Sequence, residues 1–180
     1  MSGASQQARP QAILFVCTEN AIRSPMAAAL YQQLYENESY VQSAGIRAGQ
    51  NNLFMPIVMQ EIGIDLSDHS PQTLNDLQDS LFDIIITLSP EGHHQAMELT
   101  RTMAVDVEYW PTMDPTLVDG NRDQRLDAFR ACRDTLKNKI KSLIIGLEGE
   151  NVIRNESLKT LTVQTDFATI FSRTIEQNIC

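Results

Sequence analysis

Five consecutive apolar residues, Ala12-Ile13-Leu14-Phe15-Val16, run into Cys17 and then into Thr18-Glu19-Asn20-Ala21-Ile22-Arg23-Ser24-Pro25. A short unbroken apolar run reads as a strand buried on both faces, because a half-exposed strand would alternate. Ser24 before Pro25 carries the signature of a helix start, with serine as N-cap and proline at the first helical position. The chain thus leaves a buried strand, turns through a short polar loop and enters a helix over 25–37. That succession commits it to layers of helix on sheet and puts a cysteine at the carboxyl end of the strand.

The alternation repeats. Residues 40–46 read as a second strand ending near Gly45, and 53–62 as a helix that stops at Gly63. A short helix is expected from Ser70-Pro71. Residues 81–88 make an isoleucine-rich strand, and Ser89-Pro90-Glu91 opens a helix to about Arg101. Residues 104–110 are a fourth strand and 111–120 a loop. A long helix follows over 122–147, with Leu126, Phe129, Leu136, Ile140, Leu143 and Ile144 on one stripe. The predicted fold is α/β: a four-stranded parallel sheet with helices on both faces, a flavodoxin-like three-layer sandwich. Ligands of such sheets sit at the carboxyl ends of the strands, where Cys17 lies.

A length of 180 residues suits one domain with appended segments. We expect a flexible leader over 1–11, the domain over 12–147, and a tail over 148–180 that is partly helical or disordered. A hydrophobic content of 42% excludes wholesale disorder. A formal charge of -9 disfavours non-specific nucleic-acid binding, and any anionic substrate must be attracted by local groups. No apolar run approaches membrane-spanning length, and the leader lacks a signal peptide's hydrophobic region, so the expected location is the cytoplasm. Three cysteines (Cys17, Cys132, Cys180) and three histidines show no metal-site spacing. Neither metal nor organic cofactor is expected, and no feature signals an oligomeric state. Cys132, on the apolar stripe, reads as core, and His93-His94 as a solvated helix start.

The cysteine loop has a direct chemical reading. A free thiol, with a pKa of about 8.5, is mostly protonated at neutral pH, and backbone amides and a nearby cation favour its thiolate. Residues 18–24 can wrap amides inward as an anion-binding nest. Arg23 offers a bidentate fork for two oxygens of a phosphoryl group, and the Ser24 hydroxyl is placed to donate to the sulfur as well as to cap the helix. Taken alone, a cysteine and an arginine six apart say little, and a cysteine closing a strand is usually a small buried hydrophobe. The strand before it, the Ser-Pro start after it and its place at a strand's carboxyl end favour function.

The chain resembles the low-molecular-weight protein tyrosine phosphatases and the related arsenate reductases, which share one fold. The resemblance runs from about Ala12 to Leu147. It rests on Val16-Cys17 through Arg23-Ser24-Pro25-Met26, on Ser43-Ala44-Gly45, on Gly63-Ile64-Asp65-Leu66 with His69, and on Asp114-Pro115. It implies that Cys17 attacks phosphorus to form a phosphocysteine within a Cys-X5-Arg loop made by Thr18, Glu19, Asn20, Ala21, Ile22 and Ser24. It implies that Arg23 binds the phosphoryl oxygens and that Asp114 is general acid and then base. Asn20, Ser24, Ser43 and His69 match a network that holds the loop rigid. The implied substrate is a phosphoprotein or small phosphomonoester, with phosphotyrosine the family's choice. Read without the resemblance, Ser43 is a strand-end polar residue, His69 a turn residue and Asp114-Pro115 a turn pair, with Asp119 a rival acid.

Departures from the pattern shape the expectation. Glu19 stands where the family has glycine: pointing outward it selects a basic substrate flank, pointing inward it impairs binding. Ile22 replaces a second loop cysteine, which removes the usual partner for an oxidised Cys17. Thr116 and Leu117 replace aromatic residues after Asp-Pro, leaving Phe54 or Tyr109 to wall the site. Two other functions compete. Arsenate reduction would use the same cradle, but the relay cysteines of thioredoxin-coupled members are Ser89 and Ala96 here, so an external thiol would be needed. The segment Phe129-Arg130-Ala131-Cys132-Arg133-Asp134 and the Asp114 loop both look more like that branch, and the missing relay cysteines weigh against it. A non-catalytic phosphate or phosphoprotein sensor is the third reading, and the joint presence of Cys17, Arg23 and Asp114 argues against it.

Overall fold

The first strand, β1 (Ala12–Cys17), is buried from Ile13 to Cys17, as its unbroken apolar run requires. A computed structural model describes residues 10–35, 39–77 and 81–143. By contacts the chain divides into Met1–Ser142 and Leu143–Cys180, and the elements below belong to the first unit apart from the last residue of the final helix. The expected leader falls almost wholly, and the expected tail wholly, outside the described residues.

After β1 come α1 (Arg23–Leu34), β2 (Tyr40–Gly45), α2 (Phe54–Gln60), β3 (Ile84–Thr87), α3 (Pro90–Leu99) and β4 (Asp106–Tyr109). A last helix, α4, occupies 122–143. The four strands are parallel in the order β2-β1-β3-β4. Leu14 and Val16 face α3 in a cluster with Ala44, Ile85 and Ala96. On the other face Phe15 packs on Tyr31 of α1, with ring centroids 6.1 Å apart. Helices therefore cover both faces of an α/β sheet, as predicted.

Local chemistry sets most boundaries. Asn52 Oδ1 accepts the first amides of α2, from Phe54 at 2.8 Å and Met55 at 3.1 Å. That helix ends at Gln60, and the turn after it closes at Gly63, whose φ of 78° is left-handed, with Ile64 N–H returning to Met59 O at 3.1 Å. Ser89 caps α3, accepting from Gly92 N–H at 3.2 Å, with Pro90 at the first turn. β3 is shorter than expected, Ile84–Thr87, and the Asp83 carboxylate just before it accepts the amide of Ala12 at 3.0 Å. The apolar stripe of α4 is buried at Leu126, Phe129, Leu136 and Ile140, and Ile144 lies outside the described residues.

Two expected helix starts are corrected. α1 begins at Arg23 with Ile22 at the cap position and no side-chain cap, so Ser24 is inside the helix and does not cap it. Its hydroxyl is committed to the loop instead. No helix starts at Ser70-Pro71. That segment is drawn onto β2, where Gly45 N–H donates to Gln72 O at 2.9 Å and Gly45 pairs with Thr73. A single 3-10 turn, Leu74–Asp76, follows, closed by a reciprocal Thr73–Asp76 capping box. Among the described residues no helix is long and apolar enough to cross a membrane.

Candidate active site

Strand order reverses between β1 and β3, so the loops after them diverge and open a crevice at the carboxyl edge. Residues 18–22 fill the start of that crevice. Their carbonyls are anchored outward: Thr18 O accepts from Ile46 N–H at 2.9 Å and Arg47 N–H at 3.1 Å, and Glu19 O accepts from Gly49 N–H at 2.9 Å. Asn20 O accepts from His69 Nε2 at 2.7 Å, which places the ring proton on that nitrogen, since a carbonyl only accepts. In a trans peptide the N–H points opposite to the C=O. Turning these carbonyls outward therefore aims the amides of Glu19, Asn20 and Ala21 inward, and the Asn20 N–H indeed donates to Cys17 Sγ at 3.3 Å. The loop is an anion nest built around a sulfur.

Asn20 is the hub. Its φ of 53° is the one positive value at a non-glycine among the described residues, and asparagine tolerates it. Its side chain is fully buried and donates from Nδ2 to Ser24 Oγ and to Ser43 Oγ, both at 2.9 Å. Its Oδ1 accepts Gln72 N–H at 3.0 Å. Ser24 Oγ then lies 3.0 Å from Cys17 Sγ and 3.3 Å from Ala44 O. A hydroxyl has one proton to give. With a thiol at Cys17, the S–H addresses Oγ and the serine proton goes to Ala44 O; with a thiolate, the serine proton turns to the sulfur. Ala21 and Ile22 are buried, so an apolar side chain fills the place of a second loop cysteine.

Arg23 is buried and held by three contacts. Its Nη1 donates to Thr112 O at 3.1 Å, and its Nη2 to Asp114 Oδ2 at 3.0 Å and Thr18 Oγ1 at 3.4 Å. Thr18 Oγ1 donates onward to Glu91 Oε2 at 3.3 Å. The chain segment after β4 reaches back because Thr112 N–H donates to Leu88 O at 3.2 Å, just past β3. A cavity of about 320 Å³, lined by Thr112, Met113, Pro115, Val118, Ala131 and Cys132 among others, underlies this segment. Burial pushes the Cys132 thiol up to about 12, as befits a core residue.

The structure brings together Cys17, Asn20, Arg23, Ser24, Ser43, His69 and Asp114. Glu19 points outward, its Oε1 bound by Arg47 Nε at 3.1 Å and Nη2 at 2.8 Å, both side chains exposed. Phe54 does not stand free as a wall: it packs on Phe129, centroids 5.5 Å apart, under Arg125. Tyr109 stacks on His93 with centroids 4.7 Å apart. Sequence reasoning missed Gln72, whose amide holds Asn20 and whose Nε2 donates to Ser43 O at 2.9 Å. It also missed Arg47 and the Thr112 carbonyl. None has a local signature, since each acts through a long-range contact.

Residues 12–158 match the family model of the low molecular weight phosphotyrosine protein phosphatases. The chain belongs to that family. It is 33% identical to an arsenate reductase of Shouchella clausii over 131 residues, covering 72% of this chain and 91% of that protein. The tyrosine phosphatase amsI of Erwinia amylovora superposes with a TM-score of 0.64 at 25% identity, covering 79% of this chain and 96% of the other. The YwlE arginine phosphatase of Geobacillus stearothermophilus gives 0.62 at 26% identity, covering 79% and 96%. The chain is thus similar to proteins named tyrosine phosphatase, arginine phosphatase and arsenate reductase.

Proposed function

We propose that this chain is a hydrolase of phosphomonoesters, phosphotyrosine in a phosphoprotein foremost, working through a phosphocysteine on Cys17. The observation that carries the reading is the contact of Asp114 Oδ2 with Arg23 Nη2 at 3.0 Å. It delivers an acid from the far end of the domain to the clamp that would hold the phosphoryl oxygens. In the first step Cys17 Sγ attacks phosphorus and the P–O bond to the leaving group breaks. Protonated Asp114 gives its proton to the departing oxygen. In the second step the Asp114 carboxylate takes a proton from water, whose oxygen attacks phosphorus as the P–S bond breaks. Inorganic phosphate leaves and the thiolate is restored. The inward amides and Arg23 stabilise charge on the equatorial oxygens throughout.

Arsenate reduction is the second reading, favoured by the name of the Shouchella clausii relative. Against a self-contained reductase, the described residues hold two cysteines, Cys17 and Cys132. Ser89 and Ala96 occupy the relay positions, one capping α3 and the other wholly buried. A reductase built on this chain would draw both electrons from an external thiol.

A paired assay tests the proposal: aryl phosphate hydrolysis beside arsenate reduction with several thiol donors. Hydrolysis is expected in the wild type and at least a thousandfold less in Cys17→Ser, in line with the roughly 10³–10⁶-fold losses from removing a nucleophile. Retained hydrolysis in Cys17→Ser would sink the mechanism. Thiol-dependent arsenate turnover without ester hydrolysis would establish the second reading.

A further inference from the structure

We propose that Thr116 is a positioning residue for the acid–base step, the pivot that keeps one oxygen of Asp114 fixed while the other changes partner. The inference rests on the hydrolase reading. Thr116 occupies a position where the resemblance leads one to expect an aromatic ring, so its role belongs to this chain.

Asp114 has both carboxylate oxygens engaged, by different parts of the molecule. Oδ1 accepts the Thr116 hydroxyl at 2.7 Å and the Thr116 amide at 3.0 Å. Oδ2 accepts Arg23 Nη2 at 3.0 Å. The turn that carries Thr116 is held locally: Leu117 N–H donates to Asp114 O at 3.2 Å, and Pro115 is buried. Thr116 itself is exposed, so its hydroxyl supports no core.

The two oxygens meet different fates when a phosphoryl group arrives. Its oxygens compete for the Arg23 guanidinium, and the contact they displace is the one to Oδ2. The Thr116 contacts are not in competition. Oδ2 is therefore released towards the leaving group while Oδ1 stays tied. Two donors already occupy Oδ1, so a proton bound to Asp114 sits on Oδ2, on the side facing the chemistry. Thr116 thereby selects which oxygen is the acid and limits rotation of the carboxyl about its own bond. Without the hydroxyl, the amide alone holds Oδ1, and Asp114 samples orientations in which neither oxygen addresses the leaving group.

The test compares kcat/KM for phenyl phosphate, a poor leaving group that needs a proton, with that for 2,4-dinitrophenyl phosphate, which does not. General acid–base groups contribute about 10²–10⁴-fold, and a misplaced acid forfeits part of that. Thr116→Val is expected to lower the phenyl to dinitrophenyl ratio about tenfold, and Thr116→Ser to restore it within about twofold. The vanadate inhibition constant is expected to stay within about twofold of wild type, since Arg23 and the amides are untouched. In an Asp114→Asn background Thr116→Val should lower the ratio no further, because the two residues act as a unit. An unmoved ratio, an equal fall for both substrates, absence of rescue by serine, or an additive effect in the Asp114→Asn background overturns the inference while leaving the hydrolase reading intact. A wild type inactive on both esters overturns that reading and this inference with it.

Discussion

A methyl group on Gly45 would sit 2.7 Å from the Asn20 nitrogen, the Glu19 carbonyl carbon and the Arg47 oxygen. All are backbone atoms, so nothing can swing aside. The cradle is pressed against the end of β2 and tolerates no side chain there. Gly45→Ala is expected to displace the nest, lower kcat/KM for aryl phosphates at least tenfold and cost about 1–3 kcal/mol of stability, the range for overpacking. Steady-state kinetics and urea unfolding read both, and activity within twofold of wild type would count against the close fit. Burial protects Cys132, which should stay unmodified by iodoacetamide in the folded protein and react only in denaturant; mass mapping of the peptides would show it. At this scale Cys17 and Arg23 stand out in the sequence by type and spacing, whereas Asp114 is reached only through the family resemblance, since Asp-Pro alone reads as a turn; the structure sets Asp114 against Arg23. Gln72 stayed invisible because its contribution is mostly backbone: its N–H is what holds Asn20.

The same dipeptide, Ser-Pro, occurs three times and does three things. At Ser89-Pro90 it caps and opens α3. At Ser24-Pro25 the helix has already begun at Arg23, and the serine hydroxyl lies against the sulfur. At Ser70-Pro71 sheet pairing by the next residues wins over helix formation. Local propensity was the same in all three cases, and tertiary contacts decided. Elements are also tied pairwise by charge. Glu61, just past α2, accepts from Arg130 at 2.6 Å and from Arg133 at 3.0 Å, both on α4. The Arg130 hydrogen bond, more than any other contact, holds the Glu61 carboxyl below its ordinary value of 4.5. A folded-state value below the unfolded one means stability that is present above pH 4.5 and lost as pH falls through the folded-state value. Wild type should therefore exceed Glu61→Gln in urea midpoint at pH 7, with the gap closing as pH falls below 4.5 and through the lowered folded-state value. A gap independent of pH would assign the loss to packing.

For the whole molecule, the alternation of strands and helices along the chain was enough to give parallel layers and to place Cys17 at the carboxyl edge of the sheet. The order β2-β1-β3-β4 agrees with the flavodoxin-like expectation but was not legible in hydrophobic pattern, which reveals which residues are buried and not which strand lies beside which. Nor was the approach of the Asp114 loop, which depends on Thr112 meeting Leu88 and Arg23 across the sheet edge. Net charge of -9 acts against anions at long range, so on the proposed function any attraction must come from local groups, Arg23 and the inward amides, with Arg47 already engaged by Glu19.

The contact between Arg23 and Asp114 spans 91 residues. At about 5–20 residues per second, a ribosome takes roughly 5–18 s to make that stretch. During that interval Ser43, His69 and finally Asp114 are added to a chain that already carries the loop. The contacts that hold Asn20 and Arg23 therefore arrive one after another, the last of them only after the whole sheet has been made. The loop around Cys17 is among the first parts of this domain to be synthesised and among the last to be completed.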